Sequence, residues 1–211
     1  MSKTVTIVDY GLGNLGSVAN MLRKLGVATV RASTPDEVAK ATALILPGVG
    51  HYDTGMSNLR SRGFEPVLNS LVLDQKIPVL GICLGVQLLG RKSEEGSAPG
   101  LGWIAADVKR FAFPEGSSLP IPHMGWNEVA PSDAVLFKGH QPGETRYYFV
   151  HSYHLVADDQ SDVAAWANYG YRFAAAVHRG NIYGSQFHPE KSHKHGMAML
   201  RNWLEAVGHA P

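Results

Sequence analysis

Between Thr4 and Leu89 short β-rich runs alternate with amphipathic segments, and this alternation constrains the fold more than any other feature of the chain. It is the pattern that a doubly wound parallel sheet requires, each strand followed by a helix that covers a face of the sheet. Thr4 to Asp9 reads as the first strand. A glycine-rich turn follows, and Asn14 can cap a helix whose Leu15, Val18, Ala19, Leu22 and Leu25 share one face, with Gly26 as its stop. Ala28 to Ala32 is a second strand. Thr34-Pro35-Asp36-Glu37 has the form of a capping box with proline at the first helical position, so a short helix leads into a third strand, Ala43 to Leu46. After Pro47-Gly48-Val49-Gly50, helical segments fill about Thr54 to Gln75, and Pro78 to Ile82 is an apolar strand that ends at Cys83.

From Gly100 to Gly184 the character changes to strand-like runs with few helical signals, including Trp103 to Phe111, Arg146 to Tyr153 and Phe173 to His178. A last strand, Ile182 to Phe187, leads to His188, and Ser192 precedes a closing helix with Met197, Leu200, Leu204 and Val207 on one face. The expected fold is α/β: a central, mostly parallel sheet flanked by helices, with an added antiparallel β portion. No repeat, low-complexity segment or linker divides residues 1–211, so a single domain is expected. Nineteen basic and 18 acidic side chains are spread along the chain for a net charge of +1, which gives no footprint for nucleic acid or an anionic membrane. The apolar run Val5 to Val8 is too brief for a signal-peptide core, and no stretch has membrane-spanning length, which predicts a cytoplasmic protein. One cysteine, Cys83, excludes an internal disulfide and a thiolate-rich metal site.

Gly81-Ile82-Cys83-Leu84-Gly85 has the small-x-nucleophile-x-small form of a nucleophile elbow, set between an apolar strand and the helical pattern Leu84 to Leu89. Glycines at both flanks would let the backbone take a strained turn, and the amino terminus of the following helix favours the thiolate. The N–H of Leu84 would face a developing oxyanion, with a second donor from Pro47-Gly48-Val49-Gly50, where glycines on both sides of Val49 would permit a peptide flip. A buried structural cysteine between packing glycines is the competing explanation. His188-Pro189-Glu190 weighs against it, because residues two apart point to the same side of an extended chain. His188 can then serve as base and Glu190 as the carboxylate that orients it. Taken alone, the tripeptide could equally be a surface loop. Both motifs, however, close predicted strands, where α/β sheets place their ligands.

These segments, with Val86-Gln87 completing the first, resemble the class I (triad) glutamine amidotransferases over nearly the whole chain. Asp9-Tyr10-Gly11-Leu12-Gly13-Asn14, Pro47 to Gly50, Pro122-His123-Met124-Gly125-Trp126-Asn127 and Tyr148-Phe149-Val150-His151-Ser152-Tyr153 are similar to segments of the glutaminase subunits of imidazole glycerol phosphate synthases. The resemblance implies Cys83 as nucleophile, His188 as acid/base and Glu190 as its orienting carboxylate. It implies an oxyanion hole from the Leu84 N–H and the Val49 or Gly50 peptide, and a glutamine site from Gln87, Glu95, the backbone at Gly50, and His151, Ser152 and Tyr153. Glu94 is an alternative to Glu95. Val86, where many relatives have methionine, is taken as a packing variation. No cofactor or metal is implied. Asp9 to Asn14, Trp126 and Lys191 would face a cyclase subunit, a (β/α)8 barrel, in a heterodimer that keeps ammonia from bulk water and uses it in histidine biosynthesis.

Two other patterns compete. Gly11-Leu12-Gly13-Asn14-Leu15-Gly16 fits a dinucleotide fingerprint, but Val30-Arg31-Ala32-Ser33 ends the second strand without the acidic residue that would hold a ribose, although Arg31 could suggest a phosphorylated cofactor. His188, His193 and His195 invite a metal, yet His193 and His195 diverge by roughly 200° around a helix axis. Trp126 could be rim packing and Lys191 a solvated charge. A non-catalytic scaffold, or a glutaminase of another class I pair, would share the fold.

Overall fold

The structure, a computed structural model, describes residues 4–132, 134–140 and 145–210. Strands β1 (Thr4–Val8), β2 (Ala28–Ala32), β3 (Leu44–Gly48) and β4 (Val79–Cys83) lie parallel in the order β2-β1-β3-β4, as the alternation predicts. In the second half come β5 (Lys92–Ser93), β6 (Ala106–Arg110), β7 (His123–Glu128), β8 (Ala130–Pro131), β9 (Arg146–His151), β10 (Tyr153–Ala157), β11 (Val163–Tyr169), β12 (Tyr171–Arg179) and β13 (Ile182–Ser185). β13 returns to pair parallel with β4, and β12, β11 and β8 extend the sheet antiparallel, making eight strands. The others form two small sheets, β10-β6-β5 and β7-β9. The antiparallel portion is thus split between an extension of the main sheet and two ribbons beside it.

Helices α1 (Leu15–Lys24), α2 (Pro35–Val38), α3 (Tyr52–Ser61), α4 (Phe64–Asn69, continued by a π turn at Ser70–Asp74), α5 (Leu84–Leu88), α6 (Ala134–Phe137) and α7 (His193–Ala206) accompany the strands. Alternate strand residues serve opposite faces. Val5, Ile7, Ile45, Leu80 and Ile82 meet Val18 and Leu22 of α1 and Met199, Leu200 and Trp203 of α7. Val8, Leu44, Leu46 and Val79 meet Tyr52, Met56 and Leu59 of α3 and Phe64 and Leu68 of α4. Both faces are therefore covered, which is why these strands read as continuous apolar runs. Local signals act as their chemistry dictates: Asn14 Oδ1 accepts from the Ser17 N–H at 3.3 Å, and Thr34 and Glu37 form both bonds of the capping box.

Two runs differ from expectation. Arg146 to Tyr153 is not one strand: β9 pairs with β7 and β10 with β6, so the chain changes sheet at Ser152, whose carbonyl accepts from the Phe111 N–H at 3.0 Å. Trp103 stays outside β6 because its buried indole N–H reaches Asn69 Oδ1 at 2.7 Å and anchors a loop. Among the described residues, no helix is long and apolar enough to cross a membrane.

Candidate active site

Parallel pairing brings three strand ends to one edge. Gly48 of β3 lies opposite Cys83 of β4, and Ser185 of β13 opposite Ile82, so the Val49 segment and His188 flank the cysteine. Cys83 adopts φ 55° and ψ −111°, a conformation that L residues with a Cβ rarely take, and α5 starts at the next residue. The strain rests on Cys83 itself. Gly81 and Gly85, expected to relieve it, have no positive φ and instead make room: a Cβ on Gly85 would sit 1.8 Å from the Leu46 carbonyl oxygen, and one on Gly81 2.8 Å from Val86 Cα. Close packing of α5 onto β3 and β4 is their physical reason. Val86 packs against Gly184 of β13, consistent with a packing role.

His188 is clamped by backbone bonds to β9: its N–H donates to Tyr148 O at 2.9 Å, and Ser192 Oγ donates to His188 O at 2.6 Å while accepting from the Tyr148 N–H at 3.0 Å. Ser192, which the sequence marks only as preceding a helix, makes no side-chain cap there and fixes the histidine instead. Nor is the His188-Glu190 pair held by an extended chain. Pro189–Lys191 is a 3-10 turn that folds Glu190 back, so that His188 Nδ1 donates to Glu190 Oε1 at 2.8 Å with both side chains 2% exposed. His188 Nε2 is buried without a formed hydrogen bond, next to Cys83. Burial opposes the imidazolium, but Cys83 and Glu190 outweigh it and raise the His188 pKa from 6.5 to about 9.

A pH signature follows. Below about 6.5 folded and unfolded chains both hold the proton and the stabilisation is present in full; it is lost as pH rises through about 9. Urea midpoints from pH 6 to 10 should show the advantage of wild type over Glu190→Gln shrinking across that window. An advantage independent of pH would contradict the assignment.

Cys83 and His188 open onto a cleft of about 280 Å³ lined also by Val49, Gly50, Leu84, Gln87, Glu95, His151, Ser152 and Tyr153. Every residue expected to bind glutamine or form the oxyanion hole thus lies on one cavity, together with Pro122 and Val150, to which the sequence assigned no role of their own. Gln87 Nε2 donates to Tyr153 O at 2.9 Å and to Gln186 Oε1 at 3.1 Å. Glu95, which lines the cleft, accepts from the Tyr52 N–H at 2.8 Å at the start of α3, whereas Glu94 pairs with Lys109 at 2.9 Å and does not line it. Of the glycines beside Val49, only Gly50 has a positive φ, +108°; Gly48 is close-packed, and a Cβ there would lie 2.5 Å from Tyr10 Oη.

Among the residues expected at a partner face, Trp126 is 39% exposed and lies parallel to His193 at 5.4 Å, while Lys191 Nζ stands 5.6 Å over the ring of Tyr148, which Trp126 meets edge-on. Asn14 is bonded locally as the cap of α1. Arg31, considered for a phosphorylated cofactor, is paired with Asp9 at 2.8 Å.

A strained cysteine on a parallel strand, a buried His-Glu pair and an adjoining cleft are the parts that a cysteine hydrolase of an α/β fold requires. Residues 6–207 match the family Glutamine amidotransferase class-I, and the chain belongs to that family. It is 46% identical over 204 residues to Imidazole glycerol phosphate synthase subunit HisH 2 of Pseudomonas aeruginosa, covering 96% of this chain and 100% of the relative. It is 47% identical over 203 residues to subunit HisH of Bdellovibrio bacteriovorus, covering 95% and 99%. A crystal structure of a glutamine amidotransferase superposes with a TM-score of 0.71 at 22% identity, covering 97% of this chain and 98% of the other, and PurLQS from Thermotoga maritima with 0.74 at 18%, covering 98% and 100%. These two establish likeness of fold.

Proposed function

We infer that the chain is the glutaminase subunit of an imidazole glycerol phosphate synthase, a single amidotransferase domain working in the cytoplasm, where an unpaired cysteine stays reduced. The observation that carries the reading is the convergence of Cys83, His188, Gln87 and Glu95 on one cleft, with Glu190 behind the imidazole. Glutamine enters with its side-chain amide beside Cys83. The thiolate attacks the amide carbon, and the oxyanion is held by the Leu84 N–H and the Val49 or Gly50 N–H. The His188 imidazolium gives its proton to the departing nitrogen, which leaves as ammonia, and a γ-glutamyl thioester remains. Water, deprotonated by His188, then attacks the thioester, releasing glutamate and restoring the thiolate. Glu190 holds the imidazole and stabilises its charge in both steps. Ammonia passes to a cyclase subunit, a (β/α)8 barrel docked in a heterodimer over the Trp126 and Lys191 face, for histidine biosynthesis. The pathway is supported by the relatives named above, since other class I enzymes share the triad.

The deciding measurement is glutamate release by the purified chain alone and with a barrel cyclase carrying its ribonucleotide ligand. Strong stimulation by the liganded cyclase is expected. Activity indifferent to it would move the chain to another amidotransferase pair or to a free-standing hydrolase.

A further inference from the structure

Strand β7 has an inward side that the mechanism above leaves unused. Met124 and Trp126 point outward, 62% and 39% exposed, whereas His123 is buried and Asn127 half-buried. The inward pair belongs to a chain of hydrogen bonds whose direction is fixed from its far end. The Tyr153 carbonyl can only accept, so His151 Nδ1, 2.8 Å away, must carry a proton. Neutral His151 then offers Nε2 as an acceptor, and His123 Nδ1 at 3.2 Å must donate to it. That leaves His123 Nε2 to accept from Asn127 Nδ2 at 3.3 Å. The Asn127 amide is oriented independently, because Nδ2 also donates to Asn168 O and Oδ1 accepts from the Glu128 N–H, each at 2.8 Å. Every link agrees with two neutral imidazoles. Burial enforces that state, holding His151 well below the usual histidine range and His123 down at about 4.

The receiving end of this chain is the glutamine cleft. Tyr153 O also accepts from Gln87 Nε2 at 2.9 Å, so one carbonyl gathers the relay and a cleft side chain. His151 is close enough to His188 for the two charges to oppose each other. A protonated His151 would disfavour the imidazolium that the leaving ammonia needs. We propose that His123, with Asn127 behind it, is a positioning residue for glutamine. The one-way relay Asn127 to His123 to His151 to the Tyr153 carbonyl sets the cleft wall and the Gln87 amide, and couples both to the strand that displays Met124 and Trp126. The inference rests on the glutaminase reading given above.

The test compares wild type, His123→Phe and His123→Asn, each in complex with the cyclase and its ribonucleotide ligand. Phenylalanine keeps a ring between Phe149 and Tyr169, now at 4.8 and 4.0 Å from His123, and removes the donor to His151; asparagine returns a donor near Nδ1. The KM for glutamine should rise about tenfold in His123→Phe with kcat held within about threefold. His123→Asn should bring KM back to within about threefold of wild type. Imidazole nitrogen NMR of the wild-type chain should show His151 protonated on Nδ1, with its Nε2 resonance displaced in His123→Phe. An unchanged KM in a folded His123→Phe complex, no rescue by asparagine, or wild-type His151 protonated on Nε2 would each overturn the relay. Should His123→Phe fail to fold, the wild-type tautomer and the asparagine variant decide. A wild-type complex that releases no glutamate would sink the glutaminase reading instead, and the tautomer would still judge the relay.

Discussion

Cys83→Ala should lower kcat for glutamate release by at least about 10⁴-fold in the liganded complex, the scale expected if the nucleophile of a covalent mechanism is removed. Without sulfur no thioester forms, and the His188-Glu190 pair is left beside a methyl group. Fold and complex should survive, because alanine at this position keeps the Cβ and loses one buried atom. The same position offers a second readout. At φ 55° and ψ −111° the cost of the elbow falls on any residue with a Cβ, so Cys83→Gly should be more stable than Cys83→Ala by about 1 kcal/mol in urea, the reverse of the usual order. Glutamate release within tenfold of wild type would refute the covalent mechanism. A glycine variant no more stable than the alanine one would show that the elbow is relaxed.

Gly85→Ala should destabilise the chain by more than about 3 kcal/mol, a large fraction of the stability of any domain. The added carbon would sit 1.8 Å from the Leu46 carbonyl oxygen, and that oxygen belongs to the middle of β3, between β1 and β4, where it cannot swing aside as a side-chain tip can. Either α5 lifts off the sheet, carrying the Leu84 N–H with it, or β3 shifts. Gly16→Ala is the control: it lies in α1 with nothing within 4 Å of the new carbon, and should change stability by less than about 1 kcal/mol. Urea midpoints of the two variants measured together separate a steric cost from a generic glycine effect. Comparable midpoints would mean that α5 is free to move.

The features legible in the sequence are those whose partners are close along the chain or whose period repeats. Alternating runs announce the parallel strands, and the capping groups at Asn14 and Thr34 lie within a few residues of what they bond. His188 and Glu190 are two apart, so their pairing is visible even though a 3-10 turn rather than an extended chain achieves it. What stays hidden depends on distant pairs. Ser192 bonds Tyr148 across 44 positions, Glu95 meets Tyr52 across 43, and His123 meets His151 across 28. No local pattern announces such contacts, because each residue type there has an ordinary use in a cap, a loop or a core. The break at Ser152 is hidden for a related reason: both halves favour extended backbone, and only the choice of neighbour separates them. Gly81 and Gly85 stand out, but tight turning and close packing leave the same letter in the sequence.

The place of β13 between β4 and β12 has a consequence for the chain while it is being made. Cys83, Gln87 and Glu95 leave the ribosome early, but the histidine that would work with them follows the strand Ile182–Ser185, which arrives about a hundred residues later. Until then β4 is an open edge, and the cysteine has no base beside it. On the triad proposed above, a nascent chain would not consume glutamine until the strand Ile182–Ser185 and His188 have emerged, so the strand that joins β4 to β12 would also be the one that switches the chemistry on.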